Sequence, residues 1–205
     1  MAAARFTLLE ILFAILLGVG GLTAFAGDKL AMEKMKDAGL LVVFLGFIVM
    51  GLNMVVQRRA DIGTRYSSTT SPAFHVFRGI GGIAWGVVFI VAGLLLLGFG
   101  YASIAYGTGA QEYLTRHSNI LLILGGLLIS AVGLGSSTKA TYLHRETERP
   151  DRRLIDRISA IVFTLPIGVA LLSWGLLRTF APSVADRTAS TVKAAAGHLF
   201  ESLVN

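Results

Sequence analysis

Long apolar runs separated by short charged stretches set the pattern of this chain. The longest lies between Arg78 and Glu112, and from Gly79 to Gln111 it contains no Asp, Glu, Lys, Arg or His. At a helical rise of ~1.5 Å per residue, such a run exceeds the roughly 20 residues that cross ~30 Å of hydrocarbon, so the helix must tilt or run on beyond the bilayer. Similar runs place the expected spans at residues 6–26, 38–56, 79–106, 118–138 and 158–177. In hydrocarbon every backbone polar group must be paired within the chain, which leaves helices for segments of this length. The pattern therefore predicts an all-α integral membrane protein, a bundle of about five transmembrane helices forming one domain over residues 1–180.

The tail follows a different period. After Pro182, the residues Ala185, Ala189, Val192, Ala196, Leu199 and Leu203 recur at alternating spacings of four and three and make one apolar stripe. Arg187, Lys193 and Glu201 fall off that stripe, and Ser183 followed by Asp186 reads as a capping box. Residues 183–205 are thus expected to form an amphipathic helix too polar to span. It would dock on lipid or on a partner helix through Val192, Leu199 and Leu203.

Composition agrees with the pattern: of 205 residues, 54% are hydrophobic and only 15% charged, with a mean hydropathy of +0.71. A net charge of +6 would raise nucleic acid as a partner for a soluble chain, but here the Lys and Arg sit between spans, where they orient helices and meet anionic lipid. Nucleic acid is not expected. The side carrying the N-terminus and the second and fourth loops holds eleven Lys and Arg, against seven on the other. The positive-inside rule then places the N-terminus in the cytoplasm and the tail outside a bacterial-type inner membrane. Cysteine is absent from the sequence, which excludes disulfides, thiolate metal sites and Cys nucleophiles.

The first run has the layout of a secretory leader, with Ala24-Phe25-Ala26 before Gly27, but Glu10 lies inside it and favours a retained span. Phe6-Thr7-Leu8-Leu9-Glu10 resembles the start of a mature type IV pilin. Arg5 stands where that family's peptidase needs Gly, and four further spans follow, so nothing is carried over. At an offset of about 79 residues Gly46 falls on Gly125 and Arg78 on Arg157, which points to a parallel two-helix repeat of spans two and three by spans four and five.

Candidate chemistry is sparse. Small-xxx-small pairs at Ala14 and Gly18, Gly82 and Gly86, and Gly126 and Ser130 predict close helix packing, within the chain or between subunits. Glu10, an acid within a span, is either a proton-carrying group or a partner of Arg5 one turn away. Pro166 should kink the fifth span near Val162. His75, His117, His144 and His198 offer neither a facing pair for haem nor zinc spacing, and no nucleophile motif, phosphate loop or carboxylate dyad is present, so neither cofactor nor enzymatic activity is expected. The favoured expectation is an accessory or scaffold subunit that binds other membrane subunits. A small transporter, with Asn53, Ser130 and Thr164 converging beside Pro166, is the alternative.

Overall fold

The computed structural model describes residues 8–63, 73–144, 147–150 and 154–204, of which 73–74, 142–144, 147–150, 154–156 and 195–204 are described by backbone alone. Helices α1 (Leu8–Lys29) and α2 (Glu33–Gln57) form the first antiparallel pair. The turn between them is closed by Met32 N–H donating to Gly27 O at 2.8 Å, with Ala31 left-handed at φ 53°. Then follow β1 (Arg59–Gly63), β2 (Ala73–Arg78) and α3 (Ile80–Tyr106). After a 3-10 turn at Gly107–Gly109 come α4 (Ala110–Arg116), α5 (Ser118–Ser137), β3 (Ala140–His144), β4 (Thr147–Pro150), α6 (Leu154–Ser159), a π-turn (Ala160–Thr164), α7 (Leu165–Phe180) and α8 (Pro182–Val204). Five helical stretches are long and apolar enough to cross a membrane: Leu8–Lys29, Glu33–Gln57, Ile80–Arg116, Ser118–Ser137 and Arg157–Phe180.

The spans do not close into a bundle. They stand in a row, α1–α2–α3–α5–α7, each packed chiefly against its neighbours in chain order. The reason lies in the buried positions, which are mostly glycine and alanine: Gly20, Gly39 and Gly51 on the first two helices, Gly82, Gly86 and Gly93 on α3, Gly126 and Gly133 on α5, Gly168 and Gly175 on α7. A Cβ on Gly86 would stand 2.6 Å from Val55 Cγ2 and 2.7 Å from Gly51 O, so α2 and α3 touch through their backbones. Such narrow seams give close approach without a shared central core. Gly46 and Gly125, matched by the 79-residue offset, differ accordingly: Gly46 faces Phe13, Leu16 and Leu17 of α1, whereas nothing stands within 4 Å of a Cβ at Gly125.

The second and fourth loops, between the apolar runs, contain strands. Among the described residues they build one four-stranded antiparallel sheet in the order β1-β2-β3-β4. Its central joint pairs the two loops with each other, Phe77 opposite Ala140 and Ala73 opposite His144. Arg65 and residues 66–72 lie outside the described residues. Each hairpin is carried between two spans, so the molecule is two helix–hairpin–helix units whose hairpins join edge to edge, with α1 packed outside the first. The largest fully buried side chains among the described residues, Phe77 and Val76, are found here: Phe77, 1% exposed, packs with Met54 and Ala60, and its ring lies 5.6 Å from that of Trp85. Arg58 ends α2 in a left-handed conformation, φ 50°, and its carbonyl accepts the N–H of Gly79, φ 62°, at 2.8 Å, which aligns β1 beside the start of α3. We call this the sheet end and its opposite the far end.

Two local expectations change. The fifth span accommodates Pro166 through a π-turn over 160–164, in which Leu165 N–H bonds Ala160 O. The wider turn gives the proline ring room and uses carbonyls that an α-helix would leave without a donor. The tail helix starts at Pro182, so Ser183 is an interior residue rather than a cap; the Val184 and Ala185 N–H groups bond Ala181 O at 3.0 and 3.1 Å. Proline suits the first helical position because its missing N–H would be unpaired there.

Candidate functional site

A group of aromatic and charged side chains lies at the far end, where α3 passes to α5. At 27 residues α3 is about 40 Å long, some 10 Å more than the hydrocarbon thickness. Gly107, φ 51°, terminates it with its N–H on Ser103 O. The turn that follows brings α4 against the end of α3, so the Tyr106 and Tyr113 rings stack 4.4 Å apart at 17°. Tyr101 meets the edge of Tyr106 at 6.4 Å, and His117 lies 4.3 Å from Tyr113. Tyrosines at this height fit the interfacial belt, with an apolar ring towards lipid and a hydroxyl towards water.

His117 joins α4 to α5. Its backbone N–H bonds Tyr113 O and Leu114 O, and its own carbonyl accepts from Ile120 and Leu121. The ring Nδ1 is 2.8 Å from Tyr113 O. A carbonyl only accepts, so Nδ1 carries the hydrogen of this bond. One turn earlier, Arg116 Nη2 donates to Glu112 Oε1 at 2.8 Å, both side chains being about three-quarters exposed. Tyr106, Gly109, Glu112, Tyr113, Arg116 and His117 line a cavity of about 430 Å³ that is open on one side.

Tyr113 and His117 also belong to a second, apolar hollow of about 140 Å³, with Leu94, Gly98, Leu121 and Leu124. Nearer the sheet, Ile83, Val87, Leu127 and Leu134 line a third, of about 260 Å³. On α3 the lining positions 80, 83, 84, 87, 94, 95, 98 and 101, and on α5 120, 121, 124, 127, 130, 131 and 134, follow the i, i+3, i+4 pattern of one helix face, so both apolar hollows lie on one side of the α3–α5 seam. That seam is where the two helix–hairpin–helix units meet.

The residues singled out in the sequence are distributed elsewhere. Gly82 and Gly86 face α2 at Arg58 and Val55, and Gly126 and Ser130 face α7 at Leu172 and Gly168. Ala14 and Gly18 are exposed, with nothing within 4 Å of a Cβ at Gly18; α1 meets α2 instead through Gly20, Ala24 and Gly27. Pro166 is exposed beside its π-turn. Glu10 is half-buried two residues into α1 and has an interaction partner. Val192 is exposed on α8, while the side chains of Leu199 and Leu203 lie outside the described residues. Asn53 lies on α2, with α3 between it and Ser130 and Thr164 on the α5–α7 side. Asn53 accepts from Gln57 Nε2 at 2.9 Å, and Ser130 Oγ is buried with no hydrogen-bond partner among the described residues.

The far-end aromatics were not singled out in the sequence reading. Their signal is Tyr101, Tyr106, Tyr113 and His117 bracketing Glu112 and Arg116, the only two charges between spans three and four. Among the described residues no group of three His, Asp or Glu is placed to hold a metal ion. A search of protein-family models, of curated proteins and of solved structures found no match to this chain.

Proposed function

We propose that this protein is a non-enzymatic accessory or scaffold subunit of a larger membrane assembly. It would sit in an inner (plasma) membrane with the N-terminus and sheet in the cytoplasm and the tail outside. The observation that carries the reading is the open row of spans. A helix in a row has neighbours on at most two sides and leaves its other faces to lipid or to other chains. Ile15, Val19 and Leu22 on α1, and Phe163 in the π-turn with Ile167 and Val169 on α7, are all about half exposed or more. Among the described residues α1 packs on α2 alone, and α7 packs on α5 and meets α8 only where the tail begins, so these two would be the first docking edges. Hydrocarbon gives apolar side chains little preference for a protein partner, so selectivity would fall to exposed small residues such as Ala14 and Gly18, where backbones can approach.

The alternative, a transporter complete in one chain, would need polar side chains converging on a cavity at mid-membrane. Asn53 on α2 is separated by α3 from Ser130 and Thr164 on the α5–α7 side, so the three do not converge, which favours the scaffold reading. Native mass spectrometry of the tagged protein, extracted in mild detergent or native nanodiscs, tests it. Recovery at fixed stoichiometry with unrelated chains is expected. Recovery as a monomer or a symmetric homo-oligomer would overturn the proposal and direct the next experiment to flux assays in liposomes.

A further inference from the structure

We propose that the far-end cavity holds the headgroup of a zwitterionic phospholipid bearing a primary ammonium, as in phosphatidylethanolamine, with one acyl chain in the apolar hollow of the α3–α5 seam. The inference is independent of any protein partner.

Shape is the first argument. The 430 Å³ cavity has charged and hydroxyl-bearing walls, whereas the adjoining 140 Å³ hollow is lined mainly by Leu and Ile, and the two share Tyr113 and His117. A polar chamber at interfacial height that opens into an apolar slot within the span matches an amphiphile entering head outward. Gly98 leaves the slot open, since nothing lies within 4 Å of where its Cβ would be.

Charge selects the headgroup. Glu112 and Arg116 form an ion pair of zero net charge, 2.8 Å apart, at the mouth of the cavity. An anionic headgroup gains Arg116 but meets Glu112, whereas a zwitterion complements both, phosphate on the guanidinium and ammonium on the carboxylate. His117 lines the same cavity, and with Nδ1–H on Tyr113 O its other ring nitrogen is an acceptor for a further N–H donor. A primary ammonium has three such donors and a choline has none. The stacked Tyr106 and Tyr113 cover each other's faces, so they do not make the aromatic box that would favour a quaternary ammonium.

The test is native mass spectrometry of delipidated full-length protein titrated with an equimolar mixture of phosphatidylethanolamine, phosphatidylcholine and phosphatidylglycerol of identical acyl chains. The wild type should retain phosphatidylethanolamine about tenfold over either competitor, the scale of one charge-assisted hydrogen bond. Glu112→Gln with Arg116→Gln should bring the ratio near unity. Gly98→Leu should abolish retention, while Gly21→Leu, the same change at an open position on α1, leaves it intact. Leu124→Trp blocks the slot from α5 and serves if Gly98→Leu lowers the melting temperature. Equal retention of the three lipids by the wild type, or undiminished retention after both slot-filling changes, would overturn the proposal.

Discussion

Two adjacent glycines give opposite responses to the same methyl group. Gly126 lies in the α5–α7 seam, and its Cβ would stand 2.6 Å from Leu172 Cα and 2.9 Å from Leu171 C, with Leu172 N nearer still. All three are backbone atoms, so no side-chain rotation relieves the overlap. Carbon atoms rest at ~3.5–4.0 Å, hence Gly126→Ala must separate the helices locally by about 1 Å. A gap of that size forfeits a quarter to a half of each contact it opens, and overpacking typically costs about 1–3 kcal/mol. Gly125, one residue earlier, has nothing within 4 Å of its Cβ position. Gly125→Ala removes backbone freedom without a clash and should be neutral or stabilising by about 0.5–1 kcal/mol. Thermal unfolding in one detergent, followed by far-ultraviolet circular dichroism, should show Gly126→Ala melting below the wild type and Gly125→Ala at or above it. Equal melting temperatures for the two variants would refute the backbone-contact account of the row.

Three further outcomes follow from the same geometry. Phe77→Ala, which empties the core joining the sheet to α2 and α3, should cost about 3–5 kcal/mol and speed amide exchange in β1 and β2 ahead of the spans. Arg157→Ala should cost about 1–2 kcal/mol, because the Arg157 Nε–H bond to Ser137 O at 3.0 Å satisfies a C-terminal carbonyl of α5 and ties α6 to it; exchange localised to the end of α5 is the readout. If α8 docks on lipid through its apolar stripe, Val192→Asp with Leu199→Asp should release the tail from liposomes in a flotation assay, and unchanged binding would sink that docking role.

The sequence by itself determined the spans and left the sheet and the order of packing open. Runs such as 79–111 carry no charge, and the backbone in hydrocarbon has few alternatives to a helix, so five apolar helices were legible from hydropathy alone. The strands were not. Each is four to six residues long, and although Ala60 and Ile62, or Phe74 and Val76, alternate at period two, the joint between β2 and β3 pairs residues more than sixty positions apart. Nothing local records that pairing. The far-end cavity was half legible: its residue types were present, but Gly107 and the turn after it bring Tyr113 onto Tyr106.

Which small residues meet, and that the spans form a row rather than a bundle, only the tertiary structure decided. Gly18 and Gly20 are equally small and apolar, yet one faces outward and the other α2. In water the buried face of a helix is marked by its contrast with a polar one. In lipid both faces are apolar, so that mark is missing, and backbone fit between neighbouring helices makes the choice instead.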